Sequence, residues 1–389
     1  MQLDYDNIYK LKTIALNLNR CHPDIKKDKK WALNFTIMHG LYTVVFSTLV
    51  YNIFYVDLKN YDISKLCKDG TLAVVYLEVT FNYWVFLRGQ HLLKYLIETM
   101  KDDLKAANTL DTDEQKIVLK NALHGAWINK IWFIIAFGGG NLFILDNLIA
   151  NLRSYLKGDF KLVPVFEFKY PEFIDADNLI IFFINYGLFT FFLIYTSMMY
   201  TSFVALGPSF ILHAYGQFEL LIKEVDNLFV EDEKDVKEKI KSIILKQQKI
   251  YCFVDNINEI FRVAYDLIMK STVIAMPITA YDVRYSLSEG YVSLGFLAIM
   301  LICPMISSFV CYYSELLLQQ SERFRQAIYC CGWERSYDRR VRSSITLILQ
   351  RALRPAAIQS LFSNICLIAL SESFQQSYTL FNLLNVMLD

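Results

Sequence analysis

Polar side chains recur on one face of an otherwise apolar segment near the end of the sequence. Apart from two adjacent glutamines, their steps of three or four residues keep them on one side of a helix. Polar groups inside a membrane are costly unless they pair or meet water. The stripe therefore bonds to neighbouring helices of the same chain, lines a water-filled ion path formed by the same helix from several subunits, or faces lipid in a single chain. Its members are Glu372, Gln375, Gln376, Thr379 and Asn382, with Val386 continuing the line.

The other chemically capable residues do not form a catalytic or metal-binding pattern. The sequence contains no phosphate-binding glycine loop, no HExxH helix and no paired CxxC motif, and its five histidines are scattered. The adjacent Cys330 and Cys331 lie in a segment that we expect in the cytoplasm, where thiols stay reduced. We therefore predict no enzyme activity, no cofactor, no metal site and no nucleic-acid partner.

Two further features within apolar runs leave their roles open. The glycine run 138–140 allows a kink or a close helix contact, or leaves room for a small ligand. Glu78, Asp146, Asp266 and Lys270 are ionisable groups in or near the apolar runs. We interpret Lys270, paired with a carboxylate, as structural rather than functional.

The composition indicates the environment that must position these groups. Hydrophobic residues make up 54% of the 389 residues, and the mean hydropathy is +0.29. A bilayer core about 30 Å thick requires roughly 20 apolar residues in a helix. Several runs meet this length, so the sequence predicts an integral membrane protein in the lipid bilayer. The charged N-terminal segment lacks an apolar core, which argues against a cleavable signal peptide.

We predict an all-α fold, a single seven-transmembrane helical bundle that occupies residues 1–389. The second span is expected to continue as an amphipathic helix toward residue 100. The predicted spans are 31–55, 71–86, 126–152, 179–206, 260–281, 291–317 and 356–388.

The distribution of positive charge predicts the orientation of this bundle. Alternate connections, beginning with the N-terminus, carry 28 of the 39 Lys and Arg residues, against 8 in the opposite set. Short connections rich in Lys and Arg stay in the cytoplasm. We therefore expect a cytoplasmic N-terminus and an extracellular C-terminus, the reverse of a G-protein-coupled receptor.

Two long inner segments, 213–259 and 318–355, repeat apolar residues at helical spacing. They are predicted to extend the membrane helices into a cytoplasmic anchor, with separate helices lying on the bilayer as the alternative. Each inner segment is shorter than about 50 residues, which disfavours an enzymatic domain.

The end of the sequence resembles insect odorant receptors. The segment SYTLFNLL, 377–384, is similar to their terminal signature, usually close to SYSYFTLL, although Leu380 and Asn382 differ from it. The tail lacks the ending typical of the related gustatory receptors, and the chain is too short for the shared co-receptor. The preceding block also resembles the family, at Tyr329, Trp333, Arg339, Arg340, Arg351 and Pro355.

The resemblance implies a ligand-gated, non-selective cation channel in the plasma membrane of a sensory-neuron dendrite. It implies four subunits around one pore, a heterotetramer with the odorant co-receptor, and a small volatile ligand. The last helix, 356–389, is then the pore helix. The pore and gate residues expected from this resemblance are Gln376, Thr379, Asn382, Leu383, Val386 and Met387.

The family also implies a ligand pocket in the outer half of the bundle, where aromatic walls with a few hydroxyls suit a small volatile molecule. Each of these residues could instead be ordinary bundle packing. The expected ligand-binding residues are Tyr76, Thr80, Tyr83, Phe137, Gly138, Asn141, Phe182, Tyr186, Phe189, Thr272 and Met276.

Three other functions are alternatives to a chemosensory channel subunit. A seven-helix receptor acting through G proteins would require an extracellular N-terminus. A gustatory receptor-like channel would share the fold. A transporter would be supported by internal inverted repeats, and we find none in the sequence.

Overall fold

The computed structural model describes residues 3–158, 162–166, 168–169, 179–229 and 236–388. The helices at the beginning of the chain are α1 (Tyr5–Ile8), α2 (Lys10–Leu18), α3 (Lys29–Asn52), which continues through a π turn (Ile53–Asp57) into α4 (Leu58–Asn60), α5 (Ile63–Arg88), α6 (Gln90–Ala107) and α7 (Thr112–Leu156). The helices that follow are α8 (Leu179–Phe203), α9 (Leu206–Asp226), α10 (Val236–Ser288), α11 (Leu294–Cys330), a 3-10 turn (Trp333–Arg335), α12 (Arg339–Ala352) and α13 (Leu367–Leu388).

Several of these helices have an aspartate at the N-cap position, directly before the first helical residue. Asp28 accepts a hydrogen bond from the Trp31 amide at 2.7 Å, and Asp111 accepts one from the Thr112 amide at 2.7 Å. A carboxylate at this position satisfies an amide that has no partner within the helix. At the other end, Gly332 follows α11 with φ of 87°, a conformation that glycine adopts without steric cost.

The prediction of an all-α membrane bundle is confirmed. Among the described residues, six helical segments are long and apolar enough to cross a bilayer: Lys29–Asn60, Ile63–Arg88, Thr112–Leu156, Leu179–Asp226, Val236–Ser288 and Leu294–Arg335. The seventh predicted span corresponds to α13, which has 22 residues but carries the polar stripe. In the described parts of the chain, extended pairing is limited to an isolated bridge between Gln359 and Asn364.

Several helices continue far beyond the predicted spans. The third runs over Thr112–Leu156, the fifth over Val236–Ser288 and the sixth over Leu294–Cys330. Their extra turns pack with α6, α9 and α12 at the end of the bundle that also holds α1 and α2. We call this the inner end and the opposite end the outer end, following the predicted orientation. Hydropathy identifies only the part of a helix that lies in the bilayer. It therefore underestimates the length of helices that continue beyond it.

The last helix differs from its predicted bounds. It begins at Leu367 rather than at residue 356, and 353–366 is not helical. Ala356, Ala357 and Ile358 are nevertheless buried. We call 355–366 the pre-helix segment. Pro355, which cannot donate a backbone hydrogen bond, lies at its start.

A continuous apolar core runs the length of the molecule. Its largest fully buried side chains include Tyr42, Trp132, Phe210, Phe218 and Phe324. Helix α10 occupies a central place, because it packs against α5, α9, α11 and α13.

Candidate functional site

Helix α13 places its polar stripe on the side that faces away from the rest of the chain. Ser377 is buried with 2% of its surface exposed, and Phe374, Phe381 and Leu384 are half-buried on the same side. The opposite side is exposed, including Val386 at 81%. The predicted pore residues on this exposed side are Gln376, Thr379, Asn382, Leu383 and Val386, together with Glu372 and Gln375 of the stripe.

Within the part of the chain that the structure describes, the stripe makes no side-chain hydrogen bond to a neighbouring helix. Thr379 donates to the carbonyl of Gln375 in its own helix at 2.9 Å. In the described part of the chain, the amides of Gln375, Gln376 and Asn382 make no side-chain hydrogen bond to another helix. The side chain of Met387, the last predicted gate residue, lies outside the described residues. The arrangement leaves the stripe free to face water or other subunits.

The predicted pocket residues of α5 lie in an aromatic cluster. The Tyr76 ring stacks on Phe46 at a centroid distance of 4.0 Å, and its hydroxyl lies 2.8 Å from that of Thr43. Tyr83 donates to the carbonyl of Asn19, directly after α2, at 3.2 Å and so lies toward the inner end rather than in the expected outer half. The hydroxyl of Thr80 is buried and has no partner among the described residues. Thr80 is therefore the member of this set with an unused hydrogen-bonding group.

The predicted residues of α7 are not brought together with this cluster. Gly138 and Asn141 are exposed, and Phe137 is half-buried. The close approach of helices occurs instead at the two following glycines. A Cβ at Gly139 would overlap Ile302, and one at Gly140 would overlap the hydroxyl of Ser197. Sequence periodicity alone could not orient three consecutive glycines, because glycine is compatible with either face.

The predicted residues of α8 and α10 differ in burial. Phe189 is buried and lies 4.8 Å from the ring of Phe168. Phe182 and Tyr186 are half-buried, with ring centroids 6.2 Å apart. On α10, Thr272 is buried and donates to the carbonyl of Ile268, whereas Met276 is half-buried.

Helix α3 also contributes to the aromatic cluster, although none of its residues was among the predicted pocket residues. Tyr42 is fully buried, stacks on Phe192 at 4.7 Å, and lies 3.0 Å from the hydroxyl of Thr196. A usable signal was present, because Phe35, His39, Tyr42 and Phe46 follow steps of four, three and four residues. This spacing is typical of one buried helix face.

Glu78 lies on the opposite side of α5, toward α10. One carboxylate oxygen accepts a hydrogen bond from the Ser271 hydroxyl at 3.1 Å, and the side chain is 6% exposed. Lys270 pairs with Asp266 at 2.6 Å and lies 4.5 Å from the centre of the Phe362 ring. The Lys270 pair links neighbouring turns of one helix, which agrees with its interpretation as structural.

Solved structures of an insect olfactory receptor are similar to this chain in architecture. The structure of the insect olfactory receptor OR5 from Machilis hrabei matches with a TM-score of 0.80 at 15% identity, covering 96% of this chain and 97% of that one. The structure of the same receptor in complex with eugenol matches with a TM-score of 0.80 at 15% identity, covering 99% and 100%. These similarities show the fold.

Sequence comparisons lead to the same group of proteins. A protein described as putative odorant receptor 85d, from Drosophila melanogaster, is 29% identical over 152 residues, which are 39% of this chain and 36% of that relative. The match thus spans about a third of the relative's length. The family model described as 7tm Odorant receptor matches residues 62–378. Because this match covers well over half of the chain, the protein belongs to the insect odorant receptor family.

Proposed function

We propose that this odorant receptor, a multi-pass membrane protein and not an enzyme, is a subunit of a ligand-gated, non-selective cation channel. The observation that carries the proposal is that the polar stripe of α13 faces away from the rest of the chain. Amides and hydroxyls that neither bond to other helices of the chain nor lie buried require water or another subunit inside a membrane. A pore formed by α13 from several subunits supplies both.

The proposed gate lies at the outer end of the pore helix. Leu383 and Val386 are 54% and 81% exposed, and they follow the polar stripe on the same side of α13. A ring of such apolar side chains closes a pore by excluding water. Met387 is the third residue of the proposed gate. Gln376, Thr379 and Asn382 are proposed to line the pore on the inner side of this gate.

A small volatile molecule is the proposed ligand. Tyr76, Thr80, Tyr83, Phe189 and Thr272 are buried or half-buried between helices, where aromatic walls and few hydroxyls suit a mostly apolar molecule. The eugenol complex of the structural neighbour supports a ligand of this general size. A ligand that binds the open arrangement better than the closed one shifts the equilibrium by that difference in affinity.

The proposed assembly is a heterotetramer with the odorant co-receptor in the plasma membrane of a sensory-neuron dendrite. Residues 213–259 and 318–355 are proposed as its cytoplasmic anchor. The amphipathic α12 supports this role, because its Leu347 and the following Leu353 remain 61% and 65% exposed while Ile345 and Ile348 are buried. An exposed apolar face beside a buried one suits contact with another subunit.

The gate assignment is tested by current recording from cells that express this chain with a co-receptor. Leu383→Ala and Val386→Ala are expected to raise the ligand-free current about threefold or more, because smaller side chains allow water into the constriction. Ile134→Ala, which removes an exposed aliphatic side chain of α7, serves as the matched control. Unchanged conductance, gating and block in both pore variants would show that the gate lies elsewhere.

A further inference from the structure

The outer end of α10 presents two charged residues to two different helices. Asp282 and Arg284 are two positions apart, so their side chains leave the helix on nearly opposite sides. Asp282 is fully buried against α5. Its carboxylate accepts a hydrogen bond from the Ser64 hydroxyl at 3.3 Å and lies 3.7 Å from the Lys68 ammonium. These contacts connect α10 with the helix that carries Tyr76 and Thr80.

Arg284 makes the corresponding connection to the last helix. Its guanidinium donates a hydrogen bond to the side-chain oxygen of Asn385 at 2.6 Å. Asn385 is half-buried on the side of α13 that faces α10, whereas the neighbouring Leu383 and Val386 are exposed. Rotation of this end of α13 would therefore move Val386 and stretch or break the contact between Arg284 and Asn385.

We propose that Arg284 is a positioning residue for the outer gate. It holds the end of α13 in the orientation that places the apolar Leu383 and Val386 together on the exposed side, which is the closed arrangement. Asp282 anchors the same turn of α10 to α5, so a displacement of α5 by ligand reaches α13 through these two polar contacts. This inference rests on the proposed channel function, because a gate is required for the position of α13 to matter.

The two side chains can be tested as a coupled pair. In cells that express the co-receptor, Arg284→Ala and Asn385→Ala are each expected to lower the half-maximal ligand concentration and raise the ligand-free current. A shift of about three- to tenfold is expected for the loss of a hydrogen bond to a charged group at an exposed site. The double variant should shift the response no further than the larger single variant, because both substitutions remove the same contact. Asn385→Asp should shift the response in the opposite direction, because a carboxylate binds arginine more strongly than an amide does.

The control variant Arg153→Ala removes a positive charge from the outer part of α7 without touching α13. Surface labelling of each variant separates a gating effect from a loss of folded protein. The proposal is overturned if the single shifts add in the double variant, if Asn385→Asp and Asn385→Ala shift in the same direction, or if Arg153→Ala reproduces the effect of Arg284→Ala.

The contact itself can be tested without any current. A short bifunctional thiol reagent is expected to link the Arg284→Cys, Asn385→Cys double variant at the cell surface, and neither single variant. Failure to link overturns the proposed contact between these positions. Absence of ligand-evoked current from the wild-type pair, with the link still formed, would instead count against the channel function.

Discussion

At the scale of single residues, Asp103 is the centre of a charged network at the inner end. Its carboxylate lies 3.1 Å from Nε2 of His213 on α9 and accepts a hydrogen bond from Lys249 of α10. Burial raises the pKa of Asp103, but the interactions with His213 and Lys249 outweigh it and hold that pKa below its ordinary value of 3.8. The carboxylate therefore joins α6 to two long helices in its ionised form.

Asp103→Asn is expected to lower the free energy of unfolding by about 1–3 kcal/mol at neutral pH, because it leaves the buried His213 ring and the half-exposed Lys249 ammonium without a charged acceptor. A carboxyl whose pKa is lower in the folded state than in the unfolded chain stabilises the fold at pH values above its unfolded-state pKa. The stability difference between wild type and variant should therefore be complete above about pH 5 and shrink as the pH falls through the folded-state pKa. Thermal unfolding of the purified protein across this range measures it.

The matched control is Asp102→Asn, which removes an exposed carboxylate one residue earlier in α6. It should change stability little, since isolated surface charges contribute weakly. An equal loss in both variants, or a difference for Asp103→Asn that does not depend on pH, would show that the network does not stabilise the fold in this way.

At the scale of elements, the pre-helix segment is held by side chains distant in sequence. The side-chain amide of Asn258 donates a hydrogen bond to the backbone carbonyl of Ala357 at 2.9 Å. Its oxygen accepts one from the backbone N–H of Gln359 at 2.9 Å. Ser321 accepts one from the amide of Ala356 at 2.9 Å. Asn258 thus provides hydrogen-bond partners for the Ala357 carbonyl and the Gln359 backbone N–H, which have no partner in a described helix or strand.

Asn258→Ala is expected to free two backbone groups of the pre-helix segment and to destabilise it by about 1–3 kcal/mol. Amide hydrogen exchange at 356–360 should then become about tenfold faster or more, while exchange in the core of α10 stays slow. Mass spectrometry of peptides from this segment measures the change.

Asn256→Ala provides the comparison within the same helix, because that amide donates only to Cys252 of α10 in the described contacts. The assignment fails if Asn256→Ala accelerates exchange in the pre-helix segment as much as Asn258→Ala does, or if neither variant changes it.

At the scale of the whole molecule, the distribution of charge over the two ends of the helical bundle predicts how the bundle is oriented in the membrane. The basic residues concentrate on the connections of the inner end, which also holds α1, α2 and α12. Retention of Lys and Arg on the cytoplasmic side would therefore place the end of α13, and the proposed gate, outside the cell.

An epitope placed after residue 389 is expected to be labelled on intact cells, whereas one placed before residue 1 should require permeabilisation. Labelling of both epitopes in permeabilised cells controls for expression. Labelling of only the N-terminal epitope on intact cells would reverse the orientation and support the topology of a receptor acting through G proteins.

The sequence by itself determined the properties that depend on local pattern. Apolar runs predicted the helices and their insertion in a membrane, because each helix satisfies its own backbone hydrogen bonds in lipid. The spacing from Glu372 to Val386 identified one face of the last helix, and the terminal motif indicated the family. These features involve residues within a few turns of each other.

The tertiary structure decided which side of each helix meets a neighbour and where the last helix begins. Gly139 and Gly140, not Gly138, receive neighbouring side chains, and α13 starts at Leu367 because Asn258 and Ser321 hold the preceding backbone in another form. The contact of Arg284 with Asn385 likewise joins positions 101 residues apart. Such contacts depend on the packing of distant helices, which no local periodicity encodes.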